Sequence, residues 1–280
     1  MNNTAFCSVI FPGNLIYLDD FLCSLENQTD TSFDLLLFND GVKELENYLI
    51  NRKLSFKIIN AIGGTIGEVR TFLFSYLKQS EYKLFIFGDT DDYFSANRVE
   101  DCKKKLDEVD ILANDLILVN NEKNEISGPY WVNRPELKNT ISLNSIKKYN
   151  FLGLGNTAIR KEIIPENIHF EPQLIAIDWY FYSIVLKNNW KVRFSFDSFT
   201  YYRQHNTNII GRKKLSFEEY VKGFNIKLNH YISLAKESHD FADLALQYKE
   251  FKDKISEDSY KEKTERINIQ NPFWWEEIQL

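Results

Sequence analysis

The first 110 residues alternate short apolar runs with stretches of helical period, and that alternation limits the fold more than any other feature of the chain. Short, mainly apolar runs alternating with helix-period segments are the signature of βαβ units and a mainly parallel sheet. The runs fall at Ala5 to Phe11, Phe33 to Phe38, Ser55 to Ile59 and Lys83 to Phe87. Between the last two, "TIGEVRTFLFSYLKQ" opens with Thr65 and Glu68 in capping-box spacing and places Ile66, Val69, Leu73, Tyr76 and Leu77 on one face, which predicts a helix. The fold class expected is α/β: a Rossmann-like, mainly parallel sheet with flanking helices.

Three of these runs end in polar residues: Pro12-Gly13-Asn14, Asn39-Asp40-Gly41 and Gly88-Asp89. Open α/β sheets bind ligands outside the carboxyl ends of their strands, so the three stretches point at one edge. The fourth run continues as "FIFGDTDDYF", which brings Asp89, Asp91 and Asp92 within four residues. Such carboxylates repel one another, and a divalent cation or bound ligand is what most readily keeps them together. The plainer alternative is a solvated acidic turn; the apolar strand ahead of it and its place at the sheet edge favour a site. Phosphatases of the haloacid dehalogenase type also carry D-x-D after a strand. They place it on the first strand and follow it with Thr or Val, whereas here it follows the fourth and Tyr93 comes next.

From Asp110 to Gly211 the rhythm loosens, with strand-like runs at Ile111 to Val119 and Tyr130 to Val132 and a helical "IDWYFYSIVLKNN". No Pro/Gly/Ser linker precedes this half, so it continues the first fold. After Lys214 long helices are expected. Ser216 and Glu219 make a second capping box, Phe217, Tyr220, Val221, Phe224, Leu228, Tyr231 and Ile232 give one apolar face, and Phe241, Leu244, Tyr248, Phe251 and Ile255 another. The division expected is residues 1–214 as the α/β domain and 215–280 as a helical extension with the aromatic tail "NPFWWEEIQL".

Composition removes several classes of function. A formal charge of −6 argues against general affinity for nucleic-acid backbone, which needs clustered Lys and Arg. No apolar run approaches the roughly 20 residues that cross a bilayer, and the N-terminus lacks a basic n-region, so a cytoplasmic location is the default expectation. Cys7, Cys23 and Cys102 have no metal-like spacing and read as free thiols. The run "GLGNTA", Gly153 to Ala158, imitates a dinucleotide fingerprint with Asp178 downstream. That motif needs a strand before it and a helix after it. Here a helix-like "NSIKKYN" precedes and a strand-like "TAIRKEII" follows, so the glycines read as a loop that an acceptor approaches closely.

"DTDDYFSANRV" resembles the D-x-D-D segment of family 2 glycosyltransferases, enzymes of the GT-A fold that move a sugar from a nucleoside diphosphate to an acceptor. "SVIFPGN" is similar to the first strand and turn of that family, and "LLLFNDGV" to its second strand and D-D-G-S turn. "AIDWYFYSIVLKNNWKV" resembles its acidic motif on a helix followed by a strand, and "YYRQHNTNIIG" its Y-R-x-H-x-x-N segment. The segments occur in family order from residue 5 to residue 211; the helical remainder has no such support.

The resemblance implies a role for each matching residue. Asp40 would read the nucleobase, although Asn39 and Val42 depart from the family pattern there. Phe11 and Pro12, in the first turn, and Arg70 would line the donor site, Asp89 would hold the ribose or the water shell of the metal, and Arg203 would offset diphosphate charge. Asp91 would bind Mn or Mg, with His205 completing the shell. Asp178 would be the general base that deprotonates the acceptor hydroxyl, with Trp179, Gly153 and Gly155 on the acceptor side. Independently of family, a carboxylate among Ile177, Trp179, Tyr180 and Phe181 is costly without partners, and burial would raise its pKa into the range of a general base. The competing reading is an ordinary carboxylate at a helix N-terminus.

The function expected is an inverting, metal-assisted transfer from a nucleotide sugar, with a UDP-sugar first in line, to a glycan or lipid-linked acceptor. A sugar nucleotidyltransferase would need a Gly-rich basic loop after the first strand, which "FPGNLIYLDD" does not offer. A non-catalytic partner would use exposed Phe273, Trp274 and Trp275 to dock on another subunit or at the inner face of a membrane; a packed clasp is the alternative for that tail.

Overall fold

A computed structural model describes residues 2–61, 63–134, 137, 140–205 and 216–265. The four runs form β1 (Thr4–Ile10), β2 (Asp34–Asn39), β3 (Phe56–Asn60) and β4 (Leu84–Phe87). They pair in parallel in the order β3-β2-β1-β4. Every residue of β1 is buried, Thr4 and Ser8 included, as suits a central strand covered on both faces. Order 3-2-1-4 puts a topological switch point between β1 and β4, where a crevice opens at the carboxyl ends.

Beyond β4 the sheet becomes mixed. A short β5 (Tyr93–Phe94) follows the acidic turn, then β6 (Ile111–Val119), β7 (Glu125–Ser127), β8 (Thr157–Arg160) and β9 (Val192–Arg203). β8 is antiparallel to both β4 and β6, while β9 runs parallel to β6 and antiparallel to β5. The resulting order, among the described residues, is β3-β2-β1-β4-β8-β6-β9-β5, with β7 on β6. The strand expected at Tyr130 to Val132 is instead a bend and turn. Buried Asp115 in β6 accepts the Trp131 N–H at 2.7 Å, so a side chain takes the bond that a strand partner would have made.

Two apolar layers flank the sheet. One holds Phe6, Phe21, Phe94, Val99 and Cys102, from the sheet, α1 (Leu18–Glu26) and α3 (Arg98–Leu106). The other holds α2 (Ile66–Gln79) and α5 (Ile177–Val185), with a short α4 (Leu143–Ile146) beside them. The capping box of α2 is present: Thr65 Oγ1 accepts from the Glu68 N–H and the Glu68 carboxylate from the Thr65 N–H. α6 (Phe217–Glu237), also with its box, and α7 (Ala242–Lys252) bury Phe224, Leu228, Tyr231, Leu234, Leu244 and Tyr248 in the same cluster as α5. The charged stretch after them is helical too, as α8 (Glu257–Thr264). Cys7, Cys23 and Cys102 are free thiols. No helix among the described residues is long and apolar enough to cross a membrane. The aromatic tail lies outside the described residues.

Candidate active site

The crevice floor is the turn that follows β4. Its backbone is held from several directions: Ser8 Oγ donates to Gly88 O, Asn14 Nδ2 donates to Thr90 Oγ1 at 3.1 Å, and Thr90 Oγ1 donates to Val9 O at 3.2 Å. The last two contacts tie the turn after β1 to the turn after β4 across the switch point. Gly88 is required here by space, because a Cβ would stand 2.4 Å from Phe94 Cζ and 2.8 Å from Phe6 Cζ.

Arg203, at the end of β9, secures the acidic turn from the other side. Its backbone N–H donates to Asp92 Oδ1 at 2.8 Å and its Nε to Asp91 O at 2.8 Å, while Nη1 reaches Asn121 O and Nη2 Asp20 Oδ2. The side chain is 1% exposed, so it braces the turn instead of lying open to a diphosphate. Two residues on, His205 Nε2 stands 3.0 Å from Asp91 Oδ2, and its ring stacks on Tyr17 at 5.2 Å.

The charges of this floor are strongly unbalanced. Asp89 lies 3.9 Å from Arg70 of α2, a long ion pair, and keeps 40% of its side chain accessible. The crevice is therefore open above it, but protein crowds it from below. That burial, followed by repulsion from Asp91, pushes its pKa to about 6 against the pull of Arg70; Asp178 adds to the rise and Arg98 opposes it. Asp92 is buried, its Oδ2 has no hydrogen-bond partner, and burial followed by repulsion from Asp91 and Asp89 raises its pKa well above the usual range.

Asp178 opens α5 and enters the crevice beside the loop of Gly153 and Gly155. Its Oδ1 accepts from the Trp179 N–H at 2.7 Å and from Asn150 Nδ2 at 3.4 Å. Its Oδ2 faces Gly153, where a Cβ would stand 3.4 Å away. Burial raises its pKa against those two hydrogen bonds and the charge of Arg70. At Gly155 a Cβ would stand 2.8 Å from Asp89 Oδ2 and 3.7 Å from Asp92 Oδ2. The glycine loop thus lies directly against both carboxylate groups, and the absence of side chains is what lets it.

The structure brings Asp89, Asp91, Asp92, Arg70, Asp178, Gly153, Gly155 and His205 together. Phe11 and Pro12 are exposed in the turn after β1, and Asp40 follows β2, its N–H bonded to Ile10 O. Asn39 closes the next turn, its side chain exchanging hydrogen bonds with both backbone groups of Val42. Trp179 faces the core: it is 3% exposed, its indole N–H donates to Ile146 O at 2.7 Å and its ring stacks on His230 at 4.0 Å. A sugar cannot reach that ring. Sequence reasoning missed Asn14 and Asn150, for which nothing distinguishes these asparagines from others along the chain.

The residues suit a divalent cation in one respect that can be measured. Two cis ligands about 2.1 Å from an octahedral cation stand about 3.0 Å apart, which is the Asp91–His205 separation. Among the described residues no group of three or more His, Cys, Asp or Glu side chains is arranged to hold a metal. The protein would supply a pair, as sites completed by substrate phosphates do.

No protein-family model matches the sequence, and no curated protein matches it. Solved structures do. Staphylococcus aureus TarS 1-349 in complex with UDP-GlcNAc superimposes with TM-score 0.60 at 21% identity, covering 83% of this chain and 66% of that one. The chain therefore spans just under two thirds of that structure, and 39% of a longer TarS structure. TarS 1-349 in complex with UDP gives TM-score 0.60 at 19% identity over 98% of this chain. The mannosyltransferase PcManGT from Pyrobaculum calidifontis, in complex with GDP-Man and Mn2+, gives 0.58 at 8% over 89%. The fold is that of these glycosyltransferases.

Proposed function

We propose that the protein transfers a sugar from a nucleotide-sugar donor, a UDP-sugar in first place, to a hydroxyl of a glycan or lipid-linked acceptor, as an inverting glycosyltransferase of family 2. The observation that carries this reading is the meeting of Asp89, Asp91, Arg70 and Asp178 around the Gly153–Gly155 loop at the switch point. The neighbouring folds support it, because those structures are complexes with UDP-GlcNAc, UDP and GDP-Man.

In this reading Asp40, Phe11 and Pro12 take the nucleoside end of the donor, and Arg70 and Asp89 the ribose and phosphate region. Asp91 and His205 would hold Mn or Mg, which when bound neutralises the charge that develops on the leaving diphosphate. Asp178 takes the proton of the acceptor hydroxyl at Oδ2. Its Oδ1 is already engaged by Trp179 and Asn150, which fixes the orientation of the carboxylate, and its raised pKa makes it a stronger base than an exposed aspartate. Gly153, which has no side chain facing Asp178 Oδ2, and Gly155, which has none facing Asp89, leave room for the acceptor beside these two carboxylates. Attack from the side of Asp178, opposite the diphosphate, inverts the anomeric carbon. The C-terminal tail would add a subunit or membrane contact.

The test is a thermal-shift series with UDP and GDP, with and without Mn2+, on the parent and on Asp91→Ala. Metal-dependent stabilisation by one nucleotide that disappears in Asp91→Ala is expected; its absence from the parent for every nucleotide sinks the reading. Asp178→Asn should keep donor binding and lose about 100-fold or more in turnover. Turnover near the parent rate would place the base elsewhere.

A further inference from the structure

Arg98, at the start of α3, approaches the acidic turn from the layer opposite Arg70. Its side chain is 0% exposed. Nη2 donates to Phe87 O, the last carbonyl of β4, two residues ahead of Asp89. The guanidinium lies 4.4 Å from the ring centroid of Phe94 and 5.6 Å from that of Phe6, the same two rings that fill the space beside Gly88. Nε and Nη1 have no oxygen or nitrogen partner; the thiol of Cys102, one turn on, is the other polar group at the guanidinium. A buried guanidinium in that condition is costly unless nearby charge compensates it, and two aromatic faces supply only part of that. Burial raises the pKa of the Cys102 thiol to about 12, so it is neutral near neutral pH, and the carboxylates at hand are Asp92 and Asp89. Burial lowers the pKa of Arg98 to about 10, opposed by Cys102, Asp92 and Asp89, so it stays charged at neutral pH.

We propose that Arg98 is a positioning residue for the acidic turn: a permanent cation, fixed to Phe87 O beneath Asp89 and Asp92, that holds these carboxylates together before a ligand arrives and weakens the pull of the crevice on a divalent cation. The second half of the statement rests on the reading of Asp91 and His205 as the cation pair. Arg70 pairs with Asp89 from the other layer at 3.9 Å and is 20% exposed. Arg98 is buried and its fork is tied to β4.

Charge and packing make opposite predictions, which allows a decision. Arg98→Met keeps most of the volume and removes the charge. The metal-free variant should be less stable than the parent, yet it should take up Mn2+ about tenfold more tightly, since one fixed positive charge no longer competes. Arg98→Lys keeps the charge and loses the fork; its Mn2+ affinity should stay within about twofold of the parent while its stability falls. The measurement is a titration with Mn2+ alone, no nucleotide, followed by thermal denaturation. Weaker or unchanged Mn2+ uptake by folded Arg98→Met would show a purely structural arginine and overturn the proposal.

A cycle in EDTA decides the same point without metal. Asp89→Asn should raise stability more in the Arg98→Met background than in the parent, because only in the parent does it also remove an attraction. Equal effects in both backgrounds overturn the proposal. Should Arg98→Met fail to fold alone, recovery of a folded Arg98→Met/Asp89→Asn protein supports it and no recovery counts against it. A parent that takes up no Mn2+ strikes at the cation reading, and the EDTA cycle still decides whether Arg98 compensates Asp89.

Discussion

Asp89 shows how far a residue departs from its sequence neighbourhood. Three carboxylates in four positions announce mutual repulsion, but not which of them pays for it. Asp91 has His205 beside it, whereas Asp92 keeps one unpartnered buried oxygen despite the Arg203 N–H, and Asp89 faces a distant Arg70 and two like charges, so the repulsion falls on these two. The Asp89 pKa of about 6 lies above the ordinary carboxylate value, so between about pH 4 and about pH 6 the folded protein binds more protons than the unfolded chain. The contribution of Asp89 to stability therefore falls as pH rises through that window and is fully unfavourable above it. In metal-free buffer, Asp89→Asn is expected to match the parent near pH 4 and to gain on it up to about pH 6. Urea midpoints at several pH values measure this, and a gap that does not change across the window would show that Asp89 titrates as an ordinary carboxylate. The sequence could name the three acids and Asp178; it could not show that Trp179 turns away from the site and Arg203 is buried, because both depend on which partners the rest of the chain delivers.

Elements with a local signal were legible, and those made by distant partners were not. β6 runs over the span expected of it, and both capping boxes formed, since an N-cap hydroxyl and a carboxylate three residues on need no tertiary help. β5 has only two residues and exists because β9 lies beside it, with Tyr93 stacked on Tyr201 at 4.6 Å. Tyr130 to Val132 has strand composition, yet Asp115 diverts it. The cap of α2 matters to the site because that helix carries Arg70 to Asp89. Thr65→Ala removes the Oγ1 acceptor for the Glu68 N–H and should cost about 1 kcal/mol. A lowered urea midpoint with an unchanged slope is the expected signature. Nucleotide affinity should fall only slightly, because packing of Val69, Leu73, Phe74 and Leu77 still holds the helix; loss of all nucleotide binding would show that the cap itself belongs to the site.

At the scale of the whole molecule the question is whether the C-terminal helices are an appendage. The sequence suggested a division at residue 214, because the rhythm of strands stops there. The packing ties the two parts closely. His230 of α6 stacks on Trp179, the neighbour of Asp178, Tyr231 Oη donates to Lys147 O at 3.1 Å, and Ser233 Oγ donates to Glu171 at 2.9 Å, so α6 touches α5 and two segments of the α/β part. His230 is fully buried with both ring nitrogens unpartnered, and burial pushes its pKa down to about 3, so it packs as a neutral ring. Removing everything after residue 214 would uncover Trp179 and Tyr180 and discard the six large apolar side chains of α6 and α7 that share their cluster. At roughly 1.5–3 kcal/mol for each buried side chain, six of them amount to about 9–18 kcal/mol, comparable with the roughly 5–15 kcal/mol by which a domain is stable. The shortened chain is therefore expected to lack near-ultraviolet circular dichroism and to bind no nucleotide, and the full chain to unfold in a single transition by fluorescence and by far-ultraviolet dichroism. Two separated transitions, or a folded and nucleotide-binding 1–214 fragment, would make the helices a true second domain and would free Asp178 from dependence on them.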